Sequence, residues 1–218
     1  KCCSAGLKRI AIGQIGEVFQ RLRHQNRTED ERERHHARLR PLQFALCIAR
    51  RQRRSNRIDG WHGDTSRMFF AGEPSIKAKR LVDVTYECLM LGIEAASKPG
   101  ARLGDIGAAI EAHARQFRYG VVREFCGHGL GRLFPDAPEV VHAAKAGTGP
   151  ELKPGMFFTI EPMINAGKPW AKVLGDGWTA VTRDKSLSAQ FEHSIGLTEN
   201  GAELFTKSPK GLDKPPYG

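Results

Sequence analysis

Two glutamates stand inside apolar, β-rich stretches of the chain: Glu161 in Phe157-Phe158-Thr159-Ile160-Glu161-Pro162-Met163 and Glu192 in Ala189-Gln190-Phe191-Glu192-His193. An ionised carboxylate on a buried strand is costly unless a cation pairs with it. A fold that buries both stretches therefore has to bring the two glutamates to a shared partner. Alternation along a strand puts Gln190, Glu192 and Ser194 on one face and His193 on the other. Glu192 can thus point inward, while His193 reads as a hydrogen-bonded structural residue.

Two further residues fit such a partner. His128 is flanked by glycines in Gly127-His128-Gly129-Leu130-Gly131, which lets backbone approach the imidazole and leaves a ring nitrogen open toward a cleft. Asp64, in His62-Gly63-Asp64-Thr65-Ser66, lies at a turn-to-strand junction, where a carboxylate taken alone is an ordinary turn residue. One His and three carboxylates on β elements make an oxygen-rich set suited to divalent Mn, Fe or Co more than to a Cys-based structural zinc. The five cysteines (Cys2, Cys3, Cys47, Cys88, Cys126) match neither a disulfide framework nor a paired CxxC site, so reduced thiols are expected.

Periodicity supplies the scaffold. Leu81, Val84, Cys88, Leu91 and Ala95 recur at steps of three and four between Pro74-Ser75 and Lys98-Pro99-Gly100, which predicts an amphipathic helix. A second follows with the stripe Leu103, Ile106, Ile110, Ala114 and Phe117, and Tyr119-Gly120 is expected to close it. Residues 156–165, 178–182 and 189–198 read as strands, and 207–218 as a tail rich in breakers. No apolar run is long enough to span a membrane and the first residues lack the apolar block of a signal peptide, so the expected location is cytoplasmic.

The net charge of +10 raises the question of a nucleic-acid partner, yet it is local: residues 1–58 hold 15 Lys and Arg against 5 Asp and Glu, whereas residues 59–218 hold 19 against 19. Aromatic interleaving is missing from the Arg-rich part, where Phe19 and Phe44 are the only aromatics. A solvated or disordered basic segment is therefore preferred over a nucleic-acid-binding arm. The seam near Ile58 joins two different compositions.

Beyond that seam four segments, DGWHGDTSRMFF (59–70), CGHGLGRLF (126–134), LKPGMFFTIEPMINAG (152–167) and DGWTAVTRDKSLSAQFEHSI (176–195), resemble the type I methionine aminopeptidases. The resemblance implies an α/β (α+β) pita-bread fold, antiparallel sheets with helices outside, whose N-terminal part is here incomplete or disordered. It divides the chain into a non-matching segment, 1–58, and a methionine aminopeptidase-like catalytic domain, 59–218. By the same resemblance Asp64, His128, Glu161 and Glu192 are metal ligands, Glu161 and His128 take part in catalysis, and Phe134 and Trp178 line the pocket for the Met side chain. The implied cofactors are divalent ions (Co, Mn, Fe or Zn), two in the family. The implied substrates are nascent polypeptide N-termini near the ribosome, handled by a monomer with neither membrane nor nucleic acid as partner.

Three matched positions depart from the family pattern. Arg53 stands where the family has another Asp ligand, Pro135 stands where it has a catalytic His, and an upstream His has no counterpart in His35 or His36. One bound ion in place of two, and impaired activity, are expected. An inactive pita-bread protein that binds metal or peptide is the alternative. The abrupt loss of resemblance, with Lys rather than Met at the first position, suggests that residues 1–58 are an out-of-frame or misassembled start.

Overall fold

The computed structural model describes residues 47–48, 56–70 and 72–217; Arg53, the Arg-rich segment and most of the proposed 1–58 division lie outside the described residues. The longest amphipathic run forms helix α1 (Ile76–Ala96). Ser75 keeps extended backbone and its hydroxyl accepts the Ala78 N–H at 3.2 Å, which satisfies one of the amides that a helix start leaves without an intrahelical partner. Leu81, Val84, Cys88 and Ala95 of the expected stripe are buried, whereas Leu91 is half-buried and Leu89 and Ile93 go into the core beside it.

Helix α2 (Leu103–Gln116) buries Leu103, Ile106, Ile110 and Ala114. Its end differs from the expectation of a Tyr119-Gly120 closure. Arg118 takes the left-handed conformation, φ 59°, and the Tyr119 N–H reaches back to the Ala114 carbonyl at 3.1 Å, the bond that closes a left-handed cap. Gly120 instead opens the strand that follows. Among the described residues no helix is long and apolar enough to cross a membrane, and Cys88 and Cys126 are free thiols.

The strands pair antiparallel throughout. Strand β1 (Cys47–Ile48) pairs with β4 (Phe69–Phe70). Strands β2 (Asn56–Ile58) and β3 (Trp61–Gly63) form a hairpin, closed by Asp59 and Gly60 at φ 50° and 85°, the left-handed pair that a two-residue hairpin turn requires. Strand β5 (Gly120–Val121) joins a three-stranded sheet with β9 (Met163–Asn165) and β12 (Ser188–Gln190), in the order β12-β9-β5. The largest sheet has the order β14-β13-β8-β6-β7, built from β6 (Gly127–Gly129), β7 (Asp136–Val140), β8 (Phe157–Ile160), β13 (His193–Thr198) and β14 (Gly201–Leu204). A separate hairpin pairs β10 (Ala171–Val173) with β11 (Ala180–Thr182).

The two long strands expected at 156–165 and 189–198 are each broken in two, and this break positions everything that follows. The first leaves the five-stranded sheet after Ile160 and enters the three-stranded sheet at Met163; the second leaves the three-stranded sheet after Gln190 and enters the five-stranded one at His193. Register places Ile160 opposite His193 and Met163 opposite Gln190, so both chains cross between sheets side by side at the same level. Pro162 has no N–H to continue the first ladder. Helix α1 packs against both sheets, touching β8, β9, β12, β13 and β14. The fully buried side chains Phe158, Ile160, Ile164, Phe191 and Ile195 meet Leu81, Leu89, Ile106 and Ile110 there.

Candidate metal centre

The crossing points carry Glu161 and Glu192, each 3% exposed. Glu161 is held from both ends of its carboxylate: the Thr159 hydroxyl donates to Oε1 at 2.9 Å and the Gln190 amide donates to Oε2 at 3.2 Å. Its backbone N–H donates to Nε2 of His142 at 3.0 Å. His142 is itself buried, which pushes its imidazole down to about 3, so the ring is neutral and its Nε2 is free to accept. Sequence reasoning missed His142, because a ring that accepts a backbone amide across the fold leaves no spacing signal.

His128 sits on β6 between β8 and β7. A Cβ at Gly127 would strike the Thr159 carbonyl, and one at Gly129 the Ala137 carbonyl, so the flanking glycines are what allow the strand to fit. The His128 Nδ1 lies 3.1 Å from the Gly129 carbonyl. A carbonyl only accepts, so Nδ1 carries the proton and Nε2 keeps its lone pair, the arrangement found in metal-binding histidines. Nε2 is 3.6 Å from Glu161 Oε1 and 3.9 Å from Asp64 Oδ2. The His128 N–H donates to the Thr159 hydroxyl at 3.0 Å, so Thr159 joins His128 to Glu161.

Asp64 follows β3 and is tied to the strand that carries Glu192. The Thr65 hydroxyl donates to the Glu192 carbonyl at 2.9 Å, and Ser66 and Glu192 exchange backbone hydrogen bonds at 3.4 and 3.0 Å. One ligand atom each from Asp64, His128 and Glu192 lies within 4.8 Å of the others. An ion at about 2.0 to 2.2 Å from each donor holds such atoms up to about 4.4 Å apart, so the three close on a metal with sub-ångström movement. The residues fit a divalent cation: two carboxylates and one imidazole meet where burial alone would be costly. Glu161 adjoins the group through His128.

Phe134 stands against the site, its ring edge-on to His128 with centroids 4.8 Å apart and 5.5 Å from the His62 ring. Trp178 is placed at the tip of the β10-β11 hairpin and is 66% exposed. The Asp176 carboxylate accepts the Trp178 and Thr179 amides at 3.0 and 2.9 Å and the Thr179 hydroxyl at 2.5 Å, bonds that hold Asp176 below the usual carboxylate range and fix the turn that presents Trp178. His193 faces away from the group, as alternation predicts, with Nδ1 2.9 Å from the Thr206 hydroxyl. Burial and the Glu161 charge raise the Cys126 thiol, which keeps it protonated.

The sequence pattern of metallopeptidase family M24 matches residues 55–199. A methionine aminopeptidase of Rickettsia prowazekii is 58% identical over 162 residues, covering 73% of this chain and 62% of its own length. Methionine aminopeptidase A of Synechocystis sp. is 58% identical over 149 residues, 68% of this chain and 58% of its own. Among solved structures, the Rickettsia prowazekii methionine aminopeptidase superposes with a TM-score of 0.66 at 56% identity, over 68% of this chain and 60% of that one. Prolidase from Pyrococcus furiosus, at 24% identity and a TM-score of 0.53 over 68% of this chain and 38% of that one, shares the fold. The chain spans about three fifths of the length of the curated relatives it matches.

Proposed function

This chain belongs to metallopeptidase family M24, and from that premise we propose that it is a methionine aminopeptidase by descent, with residues 59–218 its catalytic domain, acting on the N-terminal Met of nascent polypeptides through one divalent ion. The α/β pita-bread fold it shares with its relatives supports this reading. The observation that carries it is the convergence of Asp64, His128 and Glu192 within 4.8 Å, at the level where two strands change sheets.

A divalent ion bound there polarises a scissile carbonyl and acidifies water. The protein's own residues do the rest. His128 offers Nε2 because Gly129 holds the proton on Nδ1. Thr159 and Gln190 aim the Glu161 carboxylate, whose remaining lone pairs are placed to take and return a proton beside the reacting group. Phe134 covers one side of the imidazole and offers an aromatic wall against which a thioether side chain packs well.

Pro135 follows Phe134 where the resemblance implies a catalytic His, and it has neither a side-chain donor nor a titratable group. Loss of a donor aimed at the reacting group typically costs about 100- to 1000-fold in turnover. The same residue favours a second reading, a centre that binds metal or peptide without turnover. Elemental analysis of the purified chain loaded with Mn or Co, followed by assay of Met-Ala-Ser hydrolysis, separates the two. About one ion per chain is expected, against the two of a dinuclear site, with slow Met release. Two tightly bound ions reject the single-ion centre, and one ion with no Met release selects the second reading.

A further inference from the structure

Strand β13 begins right after Glu192 and, two residues on, turns Ser194 to the same face. Ser194 is fully buried, and its hydroxyl engages both backbone groups of Asp64: it accepts the Asp64 N–H at 3.0 Å and donates to the Asp64 carbonyl at 2.5 Å. Ser194 is in turn fixed from behind. Its N–H donates to the Thr206 hydroxyl at 3.0 Å, and its carbonyl accepts the Phe205 N–H at 3.0 Å.

Asp64 otherwise hangs at the end of a hairpin only three residues per strand long, a length that is marginal without outside support. Downstream, Thr65 and Ser66 are tied to Glu192; at Asp64 itself it is Ser194 that takes both backbone groups. One stretch of chain, 192–194, therefore carries both Glu192 and the side chain that sets where Asp64 sits. We propose that Ser194 is a positioning residue that holds Asp64 against His128 and Glu192 before any ion arrives. This inference rests on the metal-centre reading above, but it concerns the hydrogen bonds between Ser194 and the Asp64 backbone, which are read separately from metal binding.

The test compares the full chain with Ser194→Ala and Ser194→Thr, the latter keeping the hydroxyl and suiting a strand. In the metal-free protein, hydrogen–deuterium exchange at the Asp64 amide reads the clamp directly. Protection is expected to be lost in the Ala variant and kept in the Thr variant. Calorimetric titration with Mn2+ is expected to show affinity about 10- to 100-fold weaker for Ala, the usual cost of removing a group that orients a ligand, and within about threefold of the parent for Thr. Thermal unfolding of the metal-free variants separates this from a general loss of fold. If Ser194→Ala does not fold, Ser194→Cys, whose thiol is a weaker donor and acceptor, is expected to give the same losses in smaller measure. Unchanged Asp64 protection and Mn2+ affinity in Ser194→Ala, or equal losses in Ala and Thr, overturn the inference. A parent chain that binds no Mn2+ overturns the metal-centre reading instead, while the exchange data still decide the clamp.

Discussion

His142 gives the centre a dependence on pH that is independent of any ion. Its imidazole is held neutral down to about 3 by burial, whereas in the unfolded chain it takes up a proton near the ordinary value of about 6.5. Between these values the unfolded state binds more protons than the folded one, so the stability from His142 is complete above about pH 6.5 and falls as the pH drops, by at most about 1.4 kcal/mol per unit. His142→Gln keeps an acceptor for the Glu161 N–H and removes the titration. Its melting temperature should therefore depend less steeply on pH between about 6 and 4 than the parent's; equal slopes reject the argument. Also at this scale, His128→Ala should abolish binding of the single ion in a calorimetric titration, because three carboxylates without the imidazole bind a transition metal less selectively. Glu192 and His128 were legible in the sequence for a physical reason, since a carboxylate inside an apolar strand, or a His between glycines, needs an explanation; Asp64 read alone as an ordinary turn carboxylate and was assigned as a ligand only through the resemblance. His142 and Thr159 needed none, since a His after a strand and a Thr within one are ordinary, and their roles depend on what lies across the sheet.

At the scale of elements, the helices were legible nearly to the residue because their stripes and the Ser75 cap are local. Leu91 and the Arg118 ending differ because tertiary packing chose which turn of α1 faces inward and which residue accepts a positive φ. The strands were legible as β structure but not as pairs of strands. Pro162 marks the first break, and a proline within a run is the signal that could have found it. The second break, at Phe191-Glu192, has no such residue and follows from pairing with the first. The crowding around β6 yields a contrast between two glycines of the same segment. Gly127→Ala pushes a Cβ into the Thr159 carbonyl, whereas at Gly131 the nearest atom to an added Cβ is Asp136 Oδ2 at 3.9 Å. Gly127→Ala should lose about 1 to 3 kcal/mol in urea denaturation and Gly131→Ala should stay within about 0.5 kcal/mol. Similar losses at both positions would mean that β6 is not confined.

For the whole molecule, the chain covers about three fifths of its relatives, and its excess charge lies wholly in residues 1–58. Residues 59–218 carry balanced charge, 19 Lys and Arg against 19 Asp and Glu, and by the family resemblance Arg53 stands at a ligand position. Replacing residues 1–58 with a family-like segment that carries the missing Asp and His, together with Pro135→His, is expected to restore Met release from Met-Ala-Ser, where either change alone does not. Robust Met release by the unmodified chain would reject this.

The side-by-side crossing of two strands from sheet to sheet also limits how this part of the chain can change in length. Insertion of one residue between 157 and 165 shifts β8 against β13 or β9 against β12, and a one-residue slip turns every following side chain to the opposite face. Glu161 or its neighbours would then point into the helices. A matching insertion between 188 and 198 would bring β8 back into step with β13, or β9 with β12, so single indels in these two stretches should be tolerated less well than paired ones.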